Sequence, residues 1–332
     1  MPASDYAVAV DAPIMVRDAE QRDLESPALL SRYFISAACG IGRDLETTAV
    51  QTVLRANCAS GRVQICADGG GGGVACLLVE DKPWDSAMTS LTIRNLVVLA
   101  SEDRAHSRYE TISRLLEHWL DAHAKTSVGL VVTRIPADDV ALLHALEDQD
   151  FLVLVPMVTL GSTVRRKVEV ALPSGIRLSS IEAAQIHQVE NISAKAFLWG
   201  RFTVDSRVPA EGAEQIHRAW TRNCCLGTHA KHVLVVRNKD EILGFIALKF
   251  HMAGTVQVGS IELMATAETS RGMGIGRALV QAGRNWLADT VEYVVVRTEL
   301  SNIPALRLYE SLGFRVLNSS LYLSRWGDSS ED

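Results

Sequence analysis

Sliding the sequence along itself by 163 residues lays Leu130-Val131-Val132-Thr133-Arg134 on Tyr293-Val294-Val295-Val296-Arg297, Asp139 on Asn302 and Phe151 on Phe314. A repeat at that spacing restricts the chain to two copies of one architecture, each the size of an ordinary domain. The 332 residues, 48% of them hydrophobic and 22% charged, supply enough apolar material for two cores. The basic stretch Arg165-Arg166-Lys167 and the turn-like Pro173-Ser174-Gly175 separate the copies. Residues 1–162 therefore read as a first domain, 163–175 as a linker and 176–328 as a second domain.

Hydrophobic periodicity orders the elements within each copy. In the first, Leu24 to Ala59 has helical spacing, and Gly69 to Gly73 joins the strands Val63–Cys66 and Val74–Val79. Five glycines hold neither helix nor strand, and no helix start or Lys-Ser/Thr follows to make a phosphate loop, so this run reads as a flexible connection. Helix Arg108–Ala124, strand Val128–Thr133, helix Ala137–Asp148 and strand Phe151–Thr159 complete the first copy. The second begins with a strand near Ile176–Leu178, a helix Ile181–Phe197 capped by Ser179 or Ser180, a polar loop Gly200–Ala210 and a helix Glu211–Cys224. Strands Val233–Val236, Leu243–Phe250 and Gln257–Thr266 follow, the first two joined at Asn238-Lys239-Asp240. Helix Gly274–Leu287, strand Tyr293–Val296, helix Ile303–Leu312 and strand Phe314–Leu323 end the pattern. The fold class is α/β: two similar domains, each a mixed central β-sheet flanked by helices.

Charge and cysteine usage exclude several functions. The formal charge is −6 without a Lys/Arg cluster, so no nucleic-acid partner is expected. The six cysteines, Cys39, Cys58, Cys66, Cys76, Cys224 and Cys225, have no metal-ligand spacing and read as reduced packing thiols, with no metal cofactor. No leader pattern opens the chain, and no apolar run approaches the roughly 20 residues that span a bilayer. A cytoplasmic protein without a membrane partner is expected, and a homodimer is left open.

The segment Arg271-Gly272-Met273-Gly274-Ile275-Gly276 lies between a β-rich stretch and an amphipathic helix. Glycines there let a ligand approach the backbone, and the free N–H groups of a helix start attract a diphosphate. A tight strand-to-helix turn is the plainer alternative. A dinucleotide fold needs this motif after its first strand, and a phosphate loop needs Lys-Ser/Thr after the last glycine; neither condition is met. Downstream lies Asn302-Ile303-Pro304-Ala305-Leu306-Arg307-Leu308-Tyr309-Glu310-Ser311-Leu312-Gly313-Phe314. With these two motifs in this order, residues 176–326 resemble the GNAT superfamily of N-acetyltransferases. Arg271, Gly274 and Gly276 match its Gln/Arg-x-x-Gly-x-Gly/Ala motif, and Asn302, Ala305, Tyr309, Gly313 and Phe314 match its following motif.

The resemblance implies two GNAT-like domains, the first degenerate, and acetyl-CoA as the donor. Backbone N–H groups of Gly272, Met273, Gly274, Ile275 and Gly276 would hold the diphosphate, with Arg271 adding positive charge. Asn302 would bond the pantetheine arm, although a helix N-cap is its rival role. Met264, Ala265 and Thr266 would end a strand splayed from its neighbour, presenting a β-like edge and an N–H to the thioester carbonyl. Tyr309 would protonate the departing thiolate, its alternative being a packed helix residue. Glu262 is the candidate base for the acceptor amine, against a structural role; His251 and Asp205 are weaker candidates.

Arg201, Phe202, Asp205 and Trp220 lie where such folds cover the acceptor. Arg201 suits a phosphate or carboxylate, and Phe202 or Trp220 a ring, unless these aromatics simply fill the core. With Trp84-Asp85-Ser86 and the degenerate first copy, this segment is similar to the dTDP-fucosamine acetyltransferase family, although Ala87-Met88-Thr89 depart from its pattern. The expected acceptor is a small-molecule primary amine, foremost an amino sugar, attacked directly in a ternary complex. Acetylation of a protein N-terminus or lysine, and a non-catalytic acyl-CoA-binding module, are the alternatives. In the first copy Leu146 stands for Tyr309 and Asp139 for Asn302, and no glycine-rich turn occurs between Met88 and His123, so it is expected not to turn over.

Overall fold

Aliphatic and β-branched runs become strands, and the strands of both copies join one sheet. The computed structural model describes residues 15–18, 63–67, 73–100, 108–123, 129–164, 166–253 and 256–327. The strands are β1 (Met15–Asp18), β2 (Val63–Ala67), β3 (Gly73–Asp81), β4 (Ile93–Ala100), β5 (Leu130–Pro136) and β6 (Leu152–Thr163), then β7 (Ile176–Ser180), β8 (His232–Asn238), β9 (Glu241–Ala253), β10 (Val256–Thr266), β11 (Tyr293–Glu299) and β12 (Arg315–Trp326). The helices are α1 (Pro83–Thr89), α2 (Arg108–His123), α3 (Val140–Glu147), α4 (Ile186–Ala196), α5 (Arg201–Val204), α6 (Ala210–Cys225), α7 (Ile275–Leu287) and α8 (Ile303–Ser311).

The order across the 12-stranded sheet is β1-β2-β3-β4-β5-β12-β6-β11-β10-β9-β8-β7. The final strand of each copy thus completes the sheet of the other. β12 runs antiparallel to β5 from Ser320↔Pro136 to Trp326↔Leu130, and β6 runs antiparallel to β11 from Met157↔Glu299 to Thr163↔Tyr293. The two exchanged strands also pair with each other. Side chains follow the backbone across. Leu323 of β12 is fully buried in the first copy's core with Leu115, Trp119 and Phe151, while Val158 and Leu160 of β6 lie in the second copy's core with Leu279 and Phe314.

The repeat is visible in local geometry. Asp139 caps α3 by accepting from Leu142 N at 3.3 Å, and Asn302 caps α8 by accepting from Ala305 N at 3.3 Å. Asp150 (φ 60°) and Gly313 (φ 84°) both take the left-handed conformation that ends these helices. Phe151 and Phe314, each 0% exposed, follow them into the two cores.

Some sequence expectations change. Ser179 and Ser180 remain in β7, and the next helix is entered through a 3-10 turn at which Glu182 and Gln185 form a capping box. The stretch Gly200–Ala210 is not wholly loop, since its apolar Phe202 draws a helical turn, α5, onto the core. Gly73 opens β3, while Gly69–Gly72 and the helix expected over Leu24–Ala59 lie outside the described residues. Among the described residues no helix is long and apolar enough to cross a membrane, and Cys76, Cys224 and Cys225 carry free thiols.

Because Leu323 sits in the other copy's core, Leu323→Ala is expected to cost about 2–5 kcal/mol. Hydrogen exchange should accelerate at Leu130–Pro136 as well as in β12; protection of β5 left unchanged would contradict the exchanged packing.

Candidate active site

The glycine-rich turn sits where β10 gives way to α7. Ser270, buried, ties its start down by donating to Leu243 O at 2.7 Å and Ala267 O at 2.8 Å. Gly272 (φ 78°) and Gly274 (φ 79°) then take left-handed conformations that side chains rarely adopt. Arg271 to Gly274 are exposed, and Ile275, 1% exposed, anchors the helix behind them. Among the described residues no side chain caps α7 at Gly274. Its first N–H groups, which an α-helix cannot satisfy internally, therefore face outward at the positive end of the helix dipole. Gly276 keeps α8 close, since a Cβ there would approach Leu308 Cδ2 at 3.3 Å. Arg271 lies 3.6 Å from Glu268 and remains largely exposed.

Beside this turn the sheet opens. β10 and β11 pair in parallel only from Val258↔Tyr293 to Ile261↔Val296. At Glu262 a bulge interrupts the β10–β9 register, after which Leu263 to Thr266 stay with β9 while β11 continues along β6 to Glu299. The expected splay is thus present: Met264, Ala265 and Thr266 keep one edge without a strand partner. Gly244 on β9 backs this edge, because a Cβ there would come within 2.9 Å of Ala265 O.

Asn302 and Tyr309 stand on α8 beyond the end of β11. Both ends of the Asn302 amide are engaged: Oδ1 accepts from Ala305 N, and Nδ2 donates to Thr298 Oγ1 at 3.2 Å. The helix-cap role is therefore realised. Tyr309 is 4% exposed and packs 5.4 Å from the Phe314 ring. Burial pushes its hydroxyl pKa up, and the nearby Glu299 charge adds to the shift, so the phenol keeps its proton at neutral pH. Glu262 is half-buried and accepts from Ser260 Oγ at 2.5 Å. Across the splay its charge is felt by Arg297. His251 lies exposed on β9.

Part of the segment expected to wall the acceptor also joins the copies. Arg201 donates to Asp85 on α1 at 3.0 Å and lies over the rings of Phe202 (4.5 Å) and Tyr322 (5.1 Å). Phe202, 6% exposed, packs with Ile93, Leu130 and Val132 of the first copy. Asp205 is buried and accepts from Arg207 and from Trp326 Nε1 at 2.9 Å. Burial alone would raise its pKa, but these donors outweigh it and hold the carboxyl below the usual range. Trp220 is half-buried against the core under α4 and α6.

Sequence reasoning missed four residues on this face. His217 on α6 is buried, its ring 5.1 Å from Phe197 and its Nε2 3.4 Å from Thr203 Oγ1, while Nδ1 has no partner among the described residues. A Cβ on Gly200 would lie 3.6 Å from His217 Cε1 and 3.9 Å from Glu299 Oε1, so glycine leaves room between the two. Burial, with the Arg201 charge, pushes the His217 pKa down to about 4. Arg134, Arg297 and Tyr322 are the others. The repeat carried a signal for two of them, because it superposes Arg134 on Arg297.

The first copy has the same splay, β4 and β5 pairing only from Ile93↔Leu130 to Leu96↔Thr133. Here Arg108 fills the gap, donating to Ala100 O at 3.2 Å and ion-pairing with Asp139. Leu146, in the place of Tyr309, is 0% exposed.

Residues 189–314 match the Acetyltransferase (GNAT) family. The chain is 23% identical to the spore coat polysaccharide biosynthesis protein SpsD of Bacillus subtilis over 75% of its own length and 83% of that protein's. It is 29% identical to the mycothiol acetyltransferase of Kocuria rhizophila, spanning 44% of this chain and about half, 48%, of that relative. A GCN5-related N-acetyltransferase from Sphaerobacter thermophilus has the same fold, with a TM-score of 0.65 at 16% identity over 97% of this chain and 98% of that one.

His217 yields a pH prediction. Between about pH 6.5 and 4 the unfolded chain binds a proton at this residue that the folded chain does not, so stability is full above 6.5 and falls as pH drops. The loss should reach about 3 kcal/mol, and chemical denaturation of His217→Gln across this range should show a correspondingly flatter profile.

Proposed function

Taking residues 189–314 as an acetyltransferase domain of the GNAT family, we propose that the chain transfers acetyl from acetyl-CoA to a primary amine on an amino sugar or similar small molecule. The observation that carries this reading is the uncapped start of α7 at a left-handed glycine, next to a strand edge left open by the β10–β11 splay. The N–H groups of Gly272 and Gly274 and those of the first turn of α7 suit a diphosphate, and the Arg271 side chain adds charge in solvent. The open edge of Met264, Ala265 and Thr266 suits an amide-bearing arm laid alongside as an extra strand.

Acetyl-CoA supplies an acyl group activated as a thioester. An N–H of the Met264–Thr266 edge stabilises the charge that develops on the carbonyl oxygen. Glu262 accepts the ammonium proton, directly or through water, so that the amine nitrogen can form the new N–C bond. As the C–S bond breaks, Tyr309 gives its proton to the sulfur, and its raised pKa suits a group that must arrive protonated. Asn302 orients this end of the site by holding α8 against Thr298. The relative named for spore coat polysaccharide biosynthesis supports a sugar as the acceptor class. The filled splay of the first copy supports a single donor site per chain.

Release of CoA thiol from acetyl-CoA, measured against amino sugars, nucleotide-linked amino sugars, aminoglycosides and peptides, tests the reading. Gly274→Asp should abolish CoA uptake in calorimetry, because a side chain strains the left-handed turn and its charge repels the diphosphate. Tyr309→Phe should lower turnover about 10²- to 10⁴-fold with little change in CoA affinity. Full turnover in that variant would remove the proton-donor role.

A further inference from the structure

We infer that Gly200, His217 and Glu299 form the slot that receives the acceptor's amine as an ammonium, with Glu299 as its carboxylate anchor and Gly200 as the position that leaves room for it. The inference deepens the proposed function and rests on that reading for an amine as the acceptor.

Backbone and side chain of Glu299 are both held in place. The residue closes the β11–β6 ladder opposite Met157, and its carbonyl accepts from Asn302 N at 3.0 Å. It follows Val296, where pairing with β10 ends, so it stands in the open part of the wedge. A hydrogen-bond chain orients its carboxylate: Asn302 Nδ2 donates to Thr298 Oγ1 at 3.2 Å, and Thr298 Oγ1 donates to Glu299 Oε2 at 3.4 Å. Oε1 receives no donor among the described residues, and it faces the α4–α5 turn, where a Cβ on Gly200 would lie 3.9 Å away. Arg297 shares this face of β11 by strand alternation, yet among the described residues it forms no ion pair with Glu299. The carboxylate whose charge Arg297 feels is that of Glu262.

His217 supplies the opposite wall. The same Cβ position on Gly200 lies 3.6 Å from His217 Cε1 and 3.8 Å from Nε2. Thr203 Oγ1 donates its one proton to Phe197 O at 3.0 Å, so its 3.4 Å contact with His217 requires the ring proton on Nε2. Nδ1 is then an acceptor, buried and without a partner among the described residues. Burial keeps this ring uncharged at neutral pH, and the Arg201 charge that acts on it is paired with Asp85. Two acceptors lacking donors, Glu299 Oε1 and His217 Nδ1, thus belong to the side chains that flank one space of methyl size. An ammonium brings three N–H donors and the opposite charge to Glu299, whereas an anion would meet its carboxylate. The Glu299 charge reaches the Tyr309 hydroxyl, so an amine in the slot lies on the side of the proposed proton donor. Glu262 then takes its proton as the nitrogen moves to the thioester.

The decisive variant is Gly200→Ala. Its methyl makes only ordinary contacts and the backbone there (φ −69°, ψ 153°) suits any side chain, so the fold is kept while the slot is filled. The test uses the full chain saturated with CoA, titrated in separate calorimetric arms with glucosamine, ethylammonium and glucose. At least one of the two ammonium compounds should bind saturably at one site per chain, and glucose, which has no ammonium, should bind at least about ten-fold more weakly. Gly200→Ala and Glu299→Gln should each weaken the ammonium about ten- to hundred-fold, the range for hydrogen bonds to charged groups. Glu211→Gln, which removes an exposed carboxylate on α6, should leave it unaltered. CoA affinity, titrated first, should match wild type in every variant. Failure of both ammonium compounds to bind, glucose binding as tightly as they do, or unchanged binding in Gly200→Ala or Glu299→Gln overturns the slot. Failure of CoA to bind the wild type strikes instead at the proposed function, and the ammonium arms are then read without it.

Discussion

The backbone ladder joining β5, β12, β6 and β11 is the interaction on which the rest of the structure depends. Each copy without its neighbour would end at β5 or β11 with a row of unpaired N–H and C=O groups. The exchange of last strands removes both edges at once. It also carries Leu323 into one core and Leu160 into the other, so the two hydrophobic clusters share their strands. A 12-stranded sheet results, with apolar layers on both faces.

The splay at the candidate active site follows from this ladder. β11 is held along its whole length by β6, from Tyr293 to Glu299, while the bulge at Glu262 turns β10 with β9. The strands must part after Val296, and the gap opens beside the uncapped start of α7. The first copy has the same parting, yet Arg108 and Asp139 occupy it. One architecture thus presents a parting crossed by the Arg108–Asp139 pair in the first copy and a parting beside the glycine turn in the second.

The helices on the opposite face bind the copies together. Gly212 on α6 approaches α1 so closely that a Cβ would stand 3.3 Å from Thr89 Cα, and Arg201 reaches Asp85 across the same boundary. Arg201 and Phe202, expected to face an acceptor, also contact the first copy.

Much was legible in the sequence because it depends on local rules. Periodicity located the strands and helices, glycines marked the left-handed turn, and the repeat exposed two copies of one architecture, down to matching caps at Asp139 and Asn302. Ser180 misled because a good capping residue ended a strand, and the capping box forms two residues later at Glu182. The contacts of Arg201, Phe202 and Asp205 were not legible, since their partners, Asp85, Leu130 and Trp326, are remote in sequence. Which strand completes which sheet was decided only in three dimensions, where the free edges of β5 and β11 compete for the nearest unpaired backbone. Local patterns in the chain set most of the elements and the left-handed glycine turn before α7. The exchange of strands and the open wedge were settled only in the folded chain, because each depends on long-range pairing that no local pattern encodes.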